Sequence, residues 1–228
     1  LAINSKKVRK GFIFFAIKGN KSDGEDYIFQ AIENGAVLVI ASKKCKIKNT
    51  KVKILKTNDV RAYLGNVVSK FYKLKPNNII AVTGTNGKTS VADFFYQILD
   101  QNKIPVGYIG TLGIKHKKKF IRTNLTSPDV ITLHESLERL KKNKIDNVII
   151  EASSHGLDQK RLNNLKLKIG VFTNFSQDHL DYHKDMKSYL DAKLTLFSKL
   201  LPKKSYVVTD SSLNEYLKLK KISKKRKL

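Results

Sequence analysis

The chain has 228 residues, of which 45 are Lys or Arg and 19 are Asp or Glu, and its formal net charge is +26. This charge attracts polyanions, but nearly all the basic residues are lysines and specific reading of bases favours arginine, so the composition argues against a specific nucleic-acid-binding protein. The single cysteine, Cys45, excludes a disulfide framework and a thiolate metal site, and no apolar run approaches the about 20 residues of a membrane-spanning helix. We therefore expect a cytoplasmic monomer without membrane insertion.

The first 75 residues are predicted to form a small α/β domain. Its predicted strands are residues 11–17, 35–41 and 52–56, and its predicted helices are residues 26–34 and 59–72. Asp59 is suited to cap the second helix, because a carboxylate at that position accepts hydrogen bonds from first-turn N–H groups. Residues 73–77, which include Pro76, are predicted to link this domain to a second one over residues 76–228.

The second domain alternates between strands and helices, which predicts a mostly parallel sheet with helices on both faces. The predicted strands are residues 79–82, 106–111, 147–152, 169–173 and 205–209, and the predicted helices are residues 90–102, 128–142 and 185–201. Ser127 is predicted to be the N-cap of the second helix, with Pro128 in its first turn. Residues 115–122 are predicted to be a loop or a hairpin. The lysine-rich end, 218–228, is a solvated helix, a disordered end or a break in a longer protein.

A glycine-rich loop follows the first strand of this second domain. It consists of Gly84, Thr85, Asn86, Gly87, Lys88 and Thr89, and a helix is predicted from Ser90. Glycines let a backbone turn tightly and approach an anion, and the loop N–H groups and the helix N-terminus then face phosphates. The sequence therefore predicts a P-loop in which Lys88 reaches the outer phosphates and Thr89 ligates Mg²⁺. The loop lacks the first glycine of the full pattern, and the alternative is a turn whose Lys and Thr face solvent.

Two further strands end in polar residues that suit a metal or a substrate. Glu151 closes an apolar strand, where an unpaired acid is costly, so it is predicted to be a second ligand of the Mg²⁺ held by Thr89. The alternative is a carboxylate that caps the next turn. Ser154 and its neighbours either bind substrate or cap the following segment. After the next strand, His179 is the best candidate for a metal ligand, with Asp178 as its orienting partner or an alternative ligand.

Lys193 lies on the apolar side of the predicted helix 185–201. The residues that share this face are Met186, Tyr189, Leu190, Phe197 and Leu200. Burial disfavours the ammonium form and lowers a lysine pKa, and a neutral amine can react with CO₂ to give a carbamate, an anionic metal ligand. The alternative is a lysine that extends its amine to solvent.

These motifs, in this order, resemble those of the Mur ligase family. The loop 83–89 is similar to the family's ATP loop, and Asn124-Leu125-Thr126-Ser127-Pro128 is similar to its substrate loop. The segment 151–157 is similar to E-V-S-S-H-G-L, residues 173–183 are similar to T-N-L-x-x-D-H-L-D-Y-H, and Ala192-Lys193 matches the position of the family's carbamylated lysine. Near the N-terminus, Asn4-Ser5-Lys6 replaces the family's D-S-R, and Lys lacks the planar fork of Arg.

The resemblance implies an ATP-dependent ligase of peptidoglycan synthesis. It implies that Ser5, Asn20, Lys21 and Ser22 bind the uridine nucleotide, and that Thr126, Ser127, Ser154, Gln159 and Arg161 bind the muramoyl-peptide. It implies two Mg²⁺ sites, one at Thr89 and Glu151 and the other at His179 and carbamylated Lys193, with Lys88, His179 and Lys193 as catalytic residues. The substrates would be UDP-N-acetylmuramoyl-dipeptide and a diamino acid, with diaminopimelate favoured over lysine.

The length and the composition leave alternatives to this reading. The family has a third, C-terminal domain, and its absence here, with the end of the central domain, predicts a fragment with little ligase activity that still binds nucleotide weakly. Another ligase of the superfamily, such as folylpolyglutamate synthase, is the alternative within the same class. A nonenzymatic polyanion-binding protein is the alternative from another class, and it would show a steep salt dependence of DNA binding.

Overall fold

The computed structural model describes residues 1–19, 22–48, 50–117, 119–123 and 125–228. The chain divides into two units, Leu1–Lys70 and Phe71–Leu228. In the described residues, no helix is both long enough and apolar enough to cross a membrane.

The first unit is built on three parallel strands. They are Phe12–Phe15 (β1), Ala36–Ser42 (β2) and Lys53–Thr57 (β3), in the order β1-β2-β3. The helices are Ile28–Glu33 (α1) and Val60–Phe71 (α2), with 3₁₀ turns at Ser5–Lys7 and Gly24–Tyr27. Buried Phe14 and Val39 of the sheet share one core with Ile28 of α1. The expected cap of α2 is present, since Asp59 Oδ1 accepts from Ala62 N at 2.9 Å.

The second unit contains a seven-stranded sheet in the order β10-β9-β4-β8-β5-β6-β7. Its strands are Asn78–Thr83 (β4), Val106–Gly110 (β5), Gly113–His116 (β6), Lys119–Ile121 (β7), Asn147–Glu151 (β8), Leu167–Phe172 (β9) and Tyr206–Thr209 (β10). The strand pairs are parallel except for β5–β6 and β6–β7, which are antiparallel. The fold class inferred from the alternation of strands and helices is therefore confirmed.

Helices cover both faces of this sheet. They are Lys88–Gln101 (α3), Val130–Lys142 (α4), Ser154–Asp158 (α5), Met186–Thr195 (α6) and Tyr216–Arg226 (α7). Alternate residues of β4 point to opposite faces: Ile79 and Ala81 join the core under α4 and α6, whereas Ile80 and Val82 join the core under α3. The central strand is thus buried on both sides, which explains its continuous apolar sequence.

The prediction that Ser127 caps α4 was wrong. The N-cap is Asp129, whose Oδ1 accepts from Ile131 N (3.0 Å) and Thr132 N (3.1 Å). Ser127 is buried instead, and its hydroxyl donates to Glu151 O at 2.7 Å. Ser127 and Asp129 can both cap a helix, but the hydroxyl of Ser127 is already used in its bond to the neighbouring strand.

Other boundaries also differ from the predictions. The predicted helix 185–201 is α-helical only to Thr195, and a π-helical turn, Leu196–Leu200, follows it. Within the stretch predicted as a loop or a hairpin, residues 115–116 and 119–121 pair in the β6–β7 hairpin, and most of the end 218–228 is helical as part of α7. The short helix α5 was not predicted, because its five residues are too few for a helical pattern to show.

Candidate active site

Three strand ends meet at one edge of the seven-stranded sheet. The register places Val82 of β4 beside Glu151 of β8, and Thr83 of β4 beside Phe172 of β9. The convergence expected from parallel topology is therefore confirmed, and it occurs where ligands gather in such sheets. A cavity of about 240 Å³ lies there, lined by Thr85, Asn86, Gly87, Lys88, Thr89, Ser90, Thr111, Thr126, Glu151, Ser153, Ser154, His179 and Lys193.

The loop after β4 has the shape of an anion cradle. Gly84 adopts φ +151°, and a Cβ there would lie 1.9 Å from Thr173 Oγ1, so only glycine fits. Gly87 adopts φ +78° at the N-cap of α3, where no side chain caps the first turn in the described residues. The first-turn N–H groups of α3 are thus available to a phosphate. Asn174 braces the loop, accepting from Thr85 N (3.0 Å) and Asn86 N (2.8 Å).

Lys88 lies inside the cradle. Its Nζ donates to Gly84 O at 2.9 Å and to Thr85 O at 2.8 Å, which are carbonyl oxygens of its own loop. Burial lowers the pKa of Lys88, and the negative charges of Glu151 and Asp178 partly oppose this effect. The amine is therefore held by neutral carbonyl acceptors, which the oxygen of an anion could replace.

Glu151 is completely buried and is surrounded by hydrogen-bond donors. Its Oε1 accepts from the Tyr108 hydroxyl and from Thr111 N (2.9 Å), and its Oε2 accepts from Thr89 Oγ1 (2.9 Å) and Thr111 Oγ1 (3.1 Å). Burial and the bond to Glu151 raise the pKa of Tyr108, whose oxygen accepts in turn from Leu112 N. These donors offset the cost of burying a carboxylate.

The pair formed by Thr89 and Glu151 fits a magnesium ion. Both side chains offer hard oxygen atoms, which Mg²⁺ prefers, and both line the same cavity. Thr89 Oγ1 and Glu151 Oε2 are 2.9 Å apart, so one cation could contact both oxygen atoms. The predicted proximity of the two residues is therefore observed, although the structure shows it as a hydrogen bond.

Lys193 is buried on the inner face of α6, as the apolar pattern predicts. Its Nζ donates to Gly84 O at 2.7 Å and lies 4.2 Å from the centroid of the Tyr189 ring. Burial and the nearby positive charge of Lys88 lower the pKa of Lys193 to about 7. The residue does not extend its amine to solvent, because only 1% of it is exposed.

His179 lies at the mouth of the cavity. Its backbone adopts φ +50°, and its Nε2 lies 3.5 Å from Asp178 Oδ2. Its ring packs edge-on against His155, with 5.0 Å between centroids. In the described part of the chain, no three His, Cys, Asp or Glu residues are arranged to hold a metal ion. A metal at His179 would therefore need ligands other than a cluster of such side chains.

The remaining predicted site residues fall into three groups. Ser5 and Ser22 line a cavity of about 400 Å³ in the first unit, whereas Asn20 and Lys21 lie outside the described residues. Thr126 and Ser154 line the active-site cavity, and Ser154 Oγ is buried with no partner in the described residues.

The third group, Ser127, Gln159 and Arg161, does not line that cavity. Arg161 Nη1 donates to Ser127 O (2.6 Å), and its Nη2 donates to Gln159 Oε1 (2.8 Å). Gln159 Nε2 also donates to Tyr182 OH at 3.2 Å. The structure thus joins these three residues in one hydrogen-bond network outside the lining of the active-site cavity.

Sequence reasoning missed three residues of the site. Tyr108 and Thr111 hold Glu151, and Tyr189 places its hydroxyl 3.3 Å from Thr85 Oγ1 and its ring beside Lys193. Ser153, which was expected either to bind substrate or to cap the following segment, lines the cavity and caps α5. A usable signal existed for Thr111, because it is the last residue of the predicted strand 106–111 and the other site residues also lie at strand ends.

Two family models match the chain. The Mur ligase middle domain matches residues 82–228, and the model described as Mur ligase family, catalytic domain, matches residues 1–72. A UDP-N-acetylmuramoyl-L-alanyl-D-glutamate--2,6-diaminopimelate ligase of Brucella melitensis is 42% identical over 200 residues, which are 88% of this chain and 41% of that protein. The protein of the same name from Rickettsia bellii is 41% identical over 100% of this chain and 48% of its own length.

Solved structures agree with these matches. A UDP-N-acetylmuramoyl-L-alanyl-D-glutamate--2,6-diaminopimelate ligase superposes with a TM-score of 0.83 at 30% identity, over 99% of this chain and 45% of that one. A folylpolyglutamate synthase/dihydrofolate synthase of Yersinia pestis superposes with a TM-score of 0.55 at 16% identity, over 73% of this chain and 47% of its own, so it shares the fold alone. The chain spans less than half the length of the curated relatives described above. The chain belongs to the Mur ligase family.

Proposed function

We propose that the chain is the part of an ATP-dependent, amide-forming ligase that binds ATP and the nucleotide-linked acceptor. The reaction adds diaminopimelate to UDP-N-acetylmuramoyl-L-Ala-D-Glu in the cytoplasm, during peptidoglycan precursor synthesis. The observation that carries this proposal is the single cavity in which the glycine loop, the Thr89–Glu151 pair and buried Lys193 meet. The choice of acceptor and of diaminopimelate is supported by the names of relatives that are about 40% identical.

ATP would occupy the loop 84–90. The first-turn N–H groups of α3 would bind its phosphates, and Lys88 would move its amine from the carbonyl oxygens of Gly84 and Thr85 to the outer phosphates. Because Lys88 is desolvated, its contact with an anion is stronger than the same contact in water.

Thr89 and Glu151 would hold one Mg²⁺, and His179 with modified Lys193 would hold a second. Bound there, the ions would neutralise charge on the transferring phosphoryl group. The protein's own part is to present oxygen ligands in fixed positions, and Tyr108 and Thr111 do this by holding the Glu151 carboxylate.

Lys193 would carry a carbamate. The lone pair of neutral Nζ attacks the carbon of CO₂, an N–C bond forms, and one proton leaves to solvent, so the product is an anionic carboxylate on nitrogen. The burial of Lys193 supports this proposal, and so does the lack of an ion-pairing carboxylate for its Nζ in the described residues. With ¹³C-bicarbonate, NMR should show a carbamate carbon in the wild type that Lys193→Met lacks. A wild-type spectrum without that signal would count against the modification.

The reaction would proceed in two steps. The γ-carboxylate of the acceptor attacks the γ-phosphorus of ATP, which gives an acyl phosphate and ADP, and the amine of the incoming diamino acid then displaces phosphate to form the amide. Once Lys88 has turned to the phosphates, its amine and the N-terminus of α3 would stabilise the negative charge on the transferring group. Lys88, His179 and Lys193 are therefore the proposed catalytic residues.

We assign two parts of the acceptor to two separate cavities. Ser5 and Ser22 line the cavity that we assign to the uridine nucleotide, and Asn20 and Lys21 remain predictions there. Thr126 and Ser154 would contact the muramoyl-peptide, and the unpartnered Ser154 hydroxyl offers a hydrogen bond to it. Three residues would not contact the acceptor but would hold in place the segment that carries Ser153 and Ser154. They are Ser127, Gln159 and Arg161.

A chimera tests this function. The 228 residues replace the matching 48% of the Rickettsia bellii relative, and the product is assayed with UDP-N-acetylmuramoyl-L-Ala-D-Glu, ATP and either diaminopimelate or lysine. We expect ATP-dependent amide formation, a loss on the order of 10²–10³-fold with Glu151→Gln, and no turnover of folate substrates. A folded chimera that is inactive with every muramoyl acceptor would refute the proposal.

A further inference from the structure

The direction in which the His179 imidazole points is not set by its charged neighbour. The side chain lies at the mouth of the active-site cavity and is 41% exposed, so packing does not enclose it on all sides. Asp178 Oδ2 lies 3.5 Å from His179 Nε2, a distance at the outer limit of a hydrogen bond. A histidine that binds a cation needs a fixed ring orientation, and this long contact does not provide it.

Two other rings meet the His179 ring at right angles. The ring centroid of His155 is 5.0 Å from that of His179, the centroid of Tyr189 is 5.9 Å from it, and the angle between ring planes is 87° in both pairs. Edge-to-face contacts at such distances are favourable. His155 belongs to α5 and Tyr189 to α6. Two separate helices therefore restrict the rotation of one imidazole.

The ring of His155 is held in turn by Tyr182. The centroids of these two rings are 3.9 Å apart. The Tyr182 hydroxyl donates to Asp158 Oδ2 at 2.7 Å and accepts from Gln159 Nε2 at 3.2 Å. Asp158 is the last residue of α5 and Gln159 is its C-cap. The loop that carries His179 is therefore attached to the helix that carries His155.

From this arrangement we propose that His155 is a positioning residue that orients the His179 ring for a cation. The inference rests on the proposed function, in which His179 binds the second Mg²⁺. His155 is not among the described residues that line the cavity, so it acts through His179 and does not touch the ion. An edge-to-face contact needs a flat ring and no ring nitrogen. His155→Phe should therefore preserve the function of this residue, whereas His155→Leu should remove it.

Nuclear magnetic resonance of the histidine rings tests this role on the 228-residue chain. The chain has five histidines, so substitution of one residue at a time assigns each ring signal. Without a cation, ¹³C relaxation should show a rigid His179 ring in the wild type and in His155→Phe, and a mobile ring in His155→Leu.

The same samples are then titrated with Mg²⁺ in the presence of ATP and bicarbonate, and binding is followed by the ¹⁵N shifts of the His179 ring nitrogens. His155→Leu should need on the order of tenfold more Mg²⁺ for half saturation, the usual effect of removing a residue that orients a metal ligand. His155→Phe should bind Mg²⁺ as the wild type does.

His134→Leu is the matched control. It also removes a histidine of the second unit, but His134 lies on α4 and outside the described lining of the cavity, so the His179 ring should keep its wild-type order and Mg²⁺ response. If His155→Leu does not fold, His155→Asn makes the same comparison, because asparagine also lacks the ring.

Two results would overturn the inference alone: a rigid His179 ring with unchanged Mg²⁺ binding in His155→Leu, or a His155→Phe variant as impaired as His155→Leu. A wild type whose His179 signals do not respond to Mg²⁺ would overturn the proposed second cation site together with the inference.

Discussion

His134 makes the stability of the second unit depend on pH. It lies on the inner face of α4 with no exposed surface, and neither ring nitrogen makes a hydrogen bond of standard geometry in the described residues, although the backbone of Asn163 is close. Burial, together with the positive charge of Lys75, lowers its pKa from the ordinary 6.5 to about 4. The folded protein therefore keeps this imidazole neutral at a pH where the unfolded chain binds a proton.

The size of the effect follows from the two pKa values. Above about pH 6.5 both states are neutral, and His134 makes no pH-dependent contribution. As the pH falls from 6.5 towards 4, only the unfolded state gains the proton, so the free energy of unfolding decreases. The loss amounts to about 2 kcal/mol at pH 5 and approaches about 3 kcal/mol below pH 4, where the folded state is protonated too.

Urea unfolding at a series of pH values, followed by circular dichroism, measures this contribution. Other histidines also titrate, so the informative quantity is the difference between the wild type and His134→Leu, a substitution that fills the site without an ionisable group. The wild type should lose about 2 kcal/mol more than the variant between pH 7 and pH 5. Identical pH dependence in the two proteins would refute the burial argument. If His134→Leu does not fold, His134→Gln serves the same comparison.

Two further predictions concern the architecture of the site. Gly84→Ala should destabilise the protein by more than Gly87→Ala. Both glycines have positive φ, whose strain alone should cost about 1–2 kcal/mol in an alanine, but only the Cβ at position 84 would collide with a neighbour, at 1.9 Å from Thr173 Oγ1. Equal melting temperatures of the two variants would contradict the geometry. Asp129→Ala should cost about 1 kcal/mol through loss of the α4 cap, and an unchanged urea midpoint would show that another residue caps this helix.

Ionisable residues that interrupt an apolar segment could be recognised from the sequence as site residues. Glu151 ends an apolar strand and Lys193 interrupts an apolar helix face, so burial was expected for both and both are buried. The difference in polarity between each residue and its apolar neighbours was enough to identify both. An ionisable group at a core-facing position costs free energy unless it is hydrogen-bonded, paired or bound to a metal.

The other residues of the site could not be predicted, because their roles depend on which strands are neighbours in the sheet. Thr111 is an ordinary residue after a strand, and it matters only because β5 lies beside β8, which carries Glu151. The order of strands in a sheet does not follow from their order in the chain. For the same reason, the capping chemistry of Ser127 and Asp129 could not be told apart locally, and a bond from Ser127 to Glu151 O distinguishes them.

The most direct test of the account is the binding of ATP with Mg²⁺ to the 228-residue chain, measured by calorimetry for the wild type, Lys88→Ala and Lys115→Ala. Lys115 is half-buried and pairs with Asp93 at 3.0 Å but does not line the cavity, so it is the matched control. We expect the wild type and Lys115→Ala to bind ATP with Mg²⁺. Lys88→Ala should bind it at least about tenfold more weakly, because it loses a charge-assisted contact with phosphate. A folded wild type without binding, or a Lys88→Ala variant with wild-type affinity, would contradict it.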